Sequence, residues 1–127
     1  MDVEFYAAPG PLTGLTPDQT EAIRRLELGP EGLCRVAQRL LVSPPDAASA
    51  GMSEQRMAER NTRRARALLE RALQLDPATP LGRPRPADQR VVGTCRHFAV
   101  LATAFLRATK VPARARCGFA TYFIPPG

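Results

Sequence analysis

Val91-Val92-Gly93-Thr94-Cys95-Arg96-His97-Phe98-Ala99 is the stretch that decides the fold, together with the run over 100–109 and Val111-Pro112-Ala113-Arg114 behind it. Gly93 and Thr94 stand just before a series of small and large apolar residues, so Thr94 reads as a helix N-cap and Cys95 as the first helical residue. A thiol there sits at the positive end of a helix, where free backbone N–H groups favour a thiolate and can also receive an oxyanion forming on a substrate carbonyl. Pro112 ends the helix after about Thr109. The alternating run over 113–123 has strand character, with Ala113, Ala115, Cys117 and Phe119 on one face and Arg114 and Arg116 on the other. The unit is Gly-x-Cys, helix, turn, strand.

Gly93-Thr94-Cys95, Ala99, Leu101, Leu106-Arg107-Ala108, Val111-Pro112-Ala113-Arg114 and Gly118-Phe119 together resemble the core of transglutaminase-like cysteine enzymes, whose fold is related to that of papain-type proteases. The resemblance covers the last third of the chain. It implies an α+β class, with N-terminal helices followed by the nucleophile helix and first strand of such a domain. It also implies that Cys95 attacks an amide carbonyl of a glutamine side chain or a peptide bond and forms a thioester that water or an amine resolves. A His and an Asp on later strands complete the family's triad, and neither can be placed here. The expected organisation is therefore the N-terminal half of one domain over 1–127, with a helical part and Pro-rich connector over 1–90 and the nucleophile helix and strand over 91–127. A C-terminal continuation, or a second chain, is expected to complete the sheet and supply the missing groups.

The sole histidine, His97, lies two residues beyond Cys95 on the same helix, and at roughly 100° per residue it points about 200° away. It reads as a structural histidine satisfied by a partner rather than as the base. The chemistry calls for no cofactor and no metal. Cys34 lies beside an apolar helical stripe and reads as a core residue, as does Cys117 on the later strand. With Cys95 these make three thiols and no CxxC pair, which favours a reducing, cytoplasmic setting.

The remainder of the chain is read as scaffold. Thr16-Pro17-Asp18-Gln19 combines an N-cap, a proline at the first helical position and a capping-box glutamine, and opens a helix to about Leu26. Leu33, Val36, Ala37, Leu40 and Leu41 recur at helical spacing after the Gly29-Pro30 break. A short edge strand is expected over 3–8, a surface loop over 43–51, and one long helix over 54–75 capped by Ser53. That helix has Met57, Ala65, Leu68, Leu69, Ala72 and Leu75 on its apolar face. Arg56, Arg60, Arg63, Arg64 and Arg71 occupy its other sides, with surface pairs such as Glu59 to Arg63. The proline density over 76–90 dictates an extended connector, in which Asp88, Gln89 and Arg90 read as surface turn residues close in sequence to the Cys95 turn.

A net charge of +6 and a pI near 10.2 rest on arginine, because Lys110 is the only lysine among 18 basic residues. Such a bias can reflect genome composition as readily as an anionic partner. No aromatic residue interleaves with the arginines to stack on bases, which argues against nucleic acid. The N-terminal residues lack the pattern of a secretion signal, and no stretch approaches the length of a membrane span. Three readings stand: a cysteine acyl-transfer or amide-hydrolysing enzyme with an amide or peptide substrate, a non-catalytic interaction module of the same fold, and an arginine-rich nucleic-acid binder.

Overall fold

Thr16 and Gln19 close the capping box expected of them. The Thr16 hydroxyl accepts the Gln19 backbone N–H at 3.2 Å, and the Gln19 side-chain oxygen accepts the Thr16 N–H at 3.0 Å. The helix they open, α1 (Pro17–Arg25), is the first element of a computed structural model that describes residues 12–110. The expected strands over 3–8 and 113–123, including Cys117, lie outside the described residues.

The second helix, α2 (Pro30–Arg39), starts on Pro30 behind Gly29 and buries Leu33, Val36 and Ala37. Its end runs directly into β1 (Leu41–Val42), which pairs in parallel with β2 (Val91–Val92), Leu41 opposite Val91 and Val42 opposite Val92. A parallel pair needs a crossover, and here everything between the two strands serves as one. The result is a mostly helical chain with a two-stranded parallel sheet, which falls in the α+β class in its coarse sense.

Two sequence expectations within the crossover are corrected by the structure. Residues 43–51 are not a plain surface loop: Ser43 caps a short helix, α3 (Pro44–Ser49), by accepting the Asp46 N–H at 3.3 Å. Its two prolines occupy the first turn, where an absent N–H costs nothing because that donor has no helical partner.

The single helix expected over 54–75 is instead broken. Ser53 caps α4 (Glu54–Met57), a 3₁₀ turn follows over Ala58–Asn61, the chain extends at Thr62 and Arg64, and α5 (Ala65–Leu75) begins afresh. The break allows Glu59, 8% exposed, to turn inward. It also frees the Ala65 N–H to bond the Leu12 carbonyl at 2.8 Å. Glu59 pairs with Arg56 and Arg71, not with Arg63 as the surface-pair reading expected.

After α5 the connector bends over the core on arginines. The guanidinium of buried Arg85 donates to the Ala72 carbonyl at 2.6 Å and the Thr79 carbonyl at 3.2 Å, while Arg39 donates to Gly82 at 3.2 Å and Arg90 to Arg85 at 2.8 Å. Proline-rich backbone leaves carbonyls without strand or helix partners, and these guanidiniums bond those of Thr79, Gly82 and Arg85, while the Ala72 carbonyl at the end of α5 also accepts the Asp76 N–H. The connector closes with a 3₁₀ turn over Ala87–Gln89.

The last described helix, α6 (Cys95–Ala108), is the centre of the molecule. Six successive residues, Val100 to Phe105, are buried, so this helix is covered on all sides rather than on one stripe. It packs against α1, α2 and α5, with Phe105 and Leu101 meeting Ile23, Leu33, Leu68 and Leu69 in one apolar cluster. Arg24 on α1 reaches over to bond the Ala108 carbonyl at 2.8 Å and so closes the far end of α6.

Candidate active site at the start of the core helix

Cys95 is the first residue of α6, with Thr94 in extended conformation as its N-cap, and its side chain is exposed. A helix anchored in the core thus presents one thiol at its solvent-facing positive end. The first hydrogen bond closing the helix runs from the Phe98 N–H to the Thr94 carbonyl at 3.1 Å. This leaves the Cys95 and Arg96 N–H groups outside the intrahelical ladder, free to face an oxyanion beside the sulfur.

The turn that delivers Cys95 is fixed from three directions. The Gly93 N–H bonds the Val42 carbonyl at 2.9 Å, continuing the β1–β2 pairing to the residue before the cap. A Cβ on Gly93 would stand 3.0 Å from His97 Cβ and 3.1 Å from Leu41 Cδ2, so only glycine lets the strand pass this close to the helix. On the other side, Glu59 Oε1 accepts the Val92 N–H at 3.0 Å, and its Oε2 receives Nε of Arg56 at 2.9 Å and of Arg71 at 2.7 Å. Arg56 in turn donates to the carbonyls of Asp88 and Arg90. Asp88 and Arg90 therefore support the turn through their carbonyls, Arg90 also through its side-chain bond to Arg85, and among the described residues no side chain of Asp88, Gln89 or Arg90 is hydrogen-bonded to Cys95.

His97 is a cap residue. Its Nδ1 accepts the Thr94 backbone N–H at 2.9 Å and lies 3.0 Å from the Thr94 hydroxyl, while the residue as a whole is 7% exposed. An Nδ1 that accepts an N–H carries no proton, so the neutral ring bears its hydrogen on Nε2. This agrees with the expectation of a partner-satisfied histidine and gives it a role that sequence spacing did not show: His97 does for Thr94 what a capping-box glutamate or glutamine does.

Cys34 lies half-buried against the core cluster, and burial pushes its thiol above the ordinary range. Its surroundings are those of an inert thiol. Among the described residues no group of three or more His, Cys, Asp or Glu side chains is placed to hold a metal ion. Nor is any helix there long and apolar enough to cross a membrane.

Beside the first turn of α6 lies a cleft of about 440 Å³, lined by Leu12, Arg60, Asn61, Thr62, Arg63, Arg96, His97 and Val100. The break between α4 and α5 forms its far wall, which is why the sequence, read as one continuous helix there, gave no sign of it. No protein-family model, curated protein sequence or solved structure matches this chain.

Proposed function

We propose that the chain carries the nucleophile-bearing part of a transglutaminase-like cysteine enzyme that works on amides in the cytoplasm, with Cys95 as the nucleophile. The observation that carries this reading is the placement of Cys95: an exposed thiol at the first position of a 14-residue helix whose remaining length is the core of the molecule. Its thiolate attacks the carbonyl of a glutamine side chain or peptide bond, and the oxyanion faces the free N–H groups of the first turn. Collapse of the tetrahedral species expels ammonia or an amine, which takes up a proton, and leaves an acyl group on sulfur. Water or a second amine then takes that acyl group and regenerates the thiol.

The group that takes the thiol proton and returns it to the leaving amine must be other than His97, whose Nδ1 is engaged by Thr94. Because His97 is the only histidine of the sequence, a catalytic histidine and its orienting aspartate would be supplied by a further segment or a second chain that also completes the sheet. Positioned acid–base help is worth a factor of about 10² to 10⁴, so residues 1–127 alone are expected to turn over negligibly.

The test is ammonia release from a glutamine-containing peptide, with residues 1–127 alone and after addition of the completing segment. Turnover that needs the added segment and is abolished by Cys95→Ser supports the proposal. Turnover that survives Cys95→Ser, or no turnover with a sheet-completing partner bound, refutes it.

A further inference from the structure

We infer that the cleft beside the first turn of α6 is a binding site for a phosphate group, a function separate from any chemistry at Cys95. Most of the arginines whose bonds are described here are spent on the fold. Arg24, Arg39, Arg56, Arg85 and Arg90 each donate to a backbone carbonyl, and Arg71 is paired with Glu59. Arg35, Arg64, Arg66 and Arg83 make no such bond among the described residues, and neither do Arg60, Arg63 and Arg96, which are the ones that come together. All three are exposed, none has a carboxylate or carbonyl partner among the described residues, and all three line one cleft.

Among the described residues no acidic side chain belongs to that lining. The nearest carboxylate in sequence, Glu59, is already held by Arg56, Arg71 and the Val92 N–H, so it is unavailable to neutralise them. Three guanidiniums brought together without counter-charge repel one another, and an oxyanion of matching geometry relieves that repulsion.

A second observation points the same way. His97 is more than nine-tenths buried yet lines the cleft, and with Nδ1 engaged by Thr94 its protonated Nε2 is a donor that makes no bond among the described residues. Arg96 and His97 belong to the first turn of α6, so the positive end of a long helix adds to the field. The lining otherwise offers Asn61 and Thr62 as neutral hydrogen-bonding groups, with Val100 and Leu12 at the apolar edge. Charge favours a phosphate dianion over a single carboxylate, and the volume admits the phosphate with a small organic group attached.

Isothermal titration calorimetry on the full chain at low ionic strength tests this, with inorganic phosphate, glycerol phosphate and acetate as probes. One-to-one saturable binding of either phosphate probe, tighter than acetate, is expected, and the order of the two phosphates tells a free ion from an ester. Arg63→Gln and Arg96→Gln change exposed side chains and should leave the thermal melt in place while each weakens binding about tenfold, as loss of a charge-assisted hydrogen bond does. Arg35→Gln, outside the cleft, should change nothing. Absence of saturable phosphate binding, equal affinity in the cleft variants, or binding of a single-stranded oligonucleotide where neither phosphate probe binds would overturn the inference.

Discussion

Glu59 Oε1 accepts the backbone N–H of Val92 at 3.0 Å across 33 residues of sequence, so a carboxylate in the crossover holds the strand that delivers Cys95. Glu59→Ala would leave that buried N–H unsatisfied and strip Arg56 and Arg71 of their shared partner. Removing one member of a buried ionic network costs about 3 kcal/mol or more. Glu59→Gln, which keeps an acceptor oxygen for Val92, should cost less. Urea unfolding of the two variants checks both the size and the order.

Gly93 is the second point of control. With His97 Cβ at 3.0 Å and His97 Cγ at 3.2 Å from an added methyl group, Gly93→Ala must push β2 and the first turn of α6 apart. Overpacking of this kind costs about 1–3 kcal/mol. The displacement falls on the Thr94–His97 cap, so the melting temperature should drop and the alkylation rate of Cys95 should change together. A drop in stability with an unchanged Cys95 rate would mean the turn absorbs the methyl without moving the thiol.

Acid should act on the connector through Asp76. The Thr79 hydroxyl, foremost, holds the Asp76 carboxyl below its ordinary range; burial opposes this, and the Thr79 backbone N–H, the Arg85 charge and the Ala78 N–H assist. Because folding favours the ionised form, its contribution is present at neutral pH and is lost as pH falls through the lowered folded value, below about pH 4. Melting temperature followed into that range should fall more steeply for the natural chain than for Asp76→Asn. Equal slopes would show that other carboxylates govern the acid limb.

Where a signal was local, the sequence was enough. Thr16 and Gln19 stand three residues apart and form their capping box, Thr94 caps the helix that Cys95 begins, and the 3.6-residue spacing of Leu33, Val36 and Leu40 marks a buried face. The failures have long-range causes. The helix expected over 54–75 breaks because Glu59 is drawn to Val92 and Ala65 to Leu12, partners that no helical periodicity reveals. β1 and β2 are two residues each, too short to show alternation, and they exist because Leu41 and Val91 meet after a long crossover. Ser43-Pro44-Pro45 opens a loop or a helix equally well, and the buried Ala47 decided for the helix. The same break at Asn61 and Thr62 hid the cleft of Arg60, Arg63 and Arg96, whereas the helix start at Cys95 was visible because the N-cap signal lies in the adjacent Gly93 and Thr94, even though its placement also relies on Val42 and Glu59.

The role of Cys95 is tested most directly by its alkylation with iodoacetamide at neutral pH, followed by peptide mapping, beside N-acetylcysteine under the same conditions. If Cys95 is the exposed nucleophile at the start of α6, it reacts faster than the free thiol and is modified well before Cys34 and Cys117. Equal labelling of the three cysteines in the folded protein, or a Cys95 no faster than N-acetylcysteine, would contradict its assignment as a nucleophile.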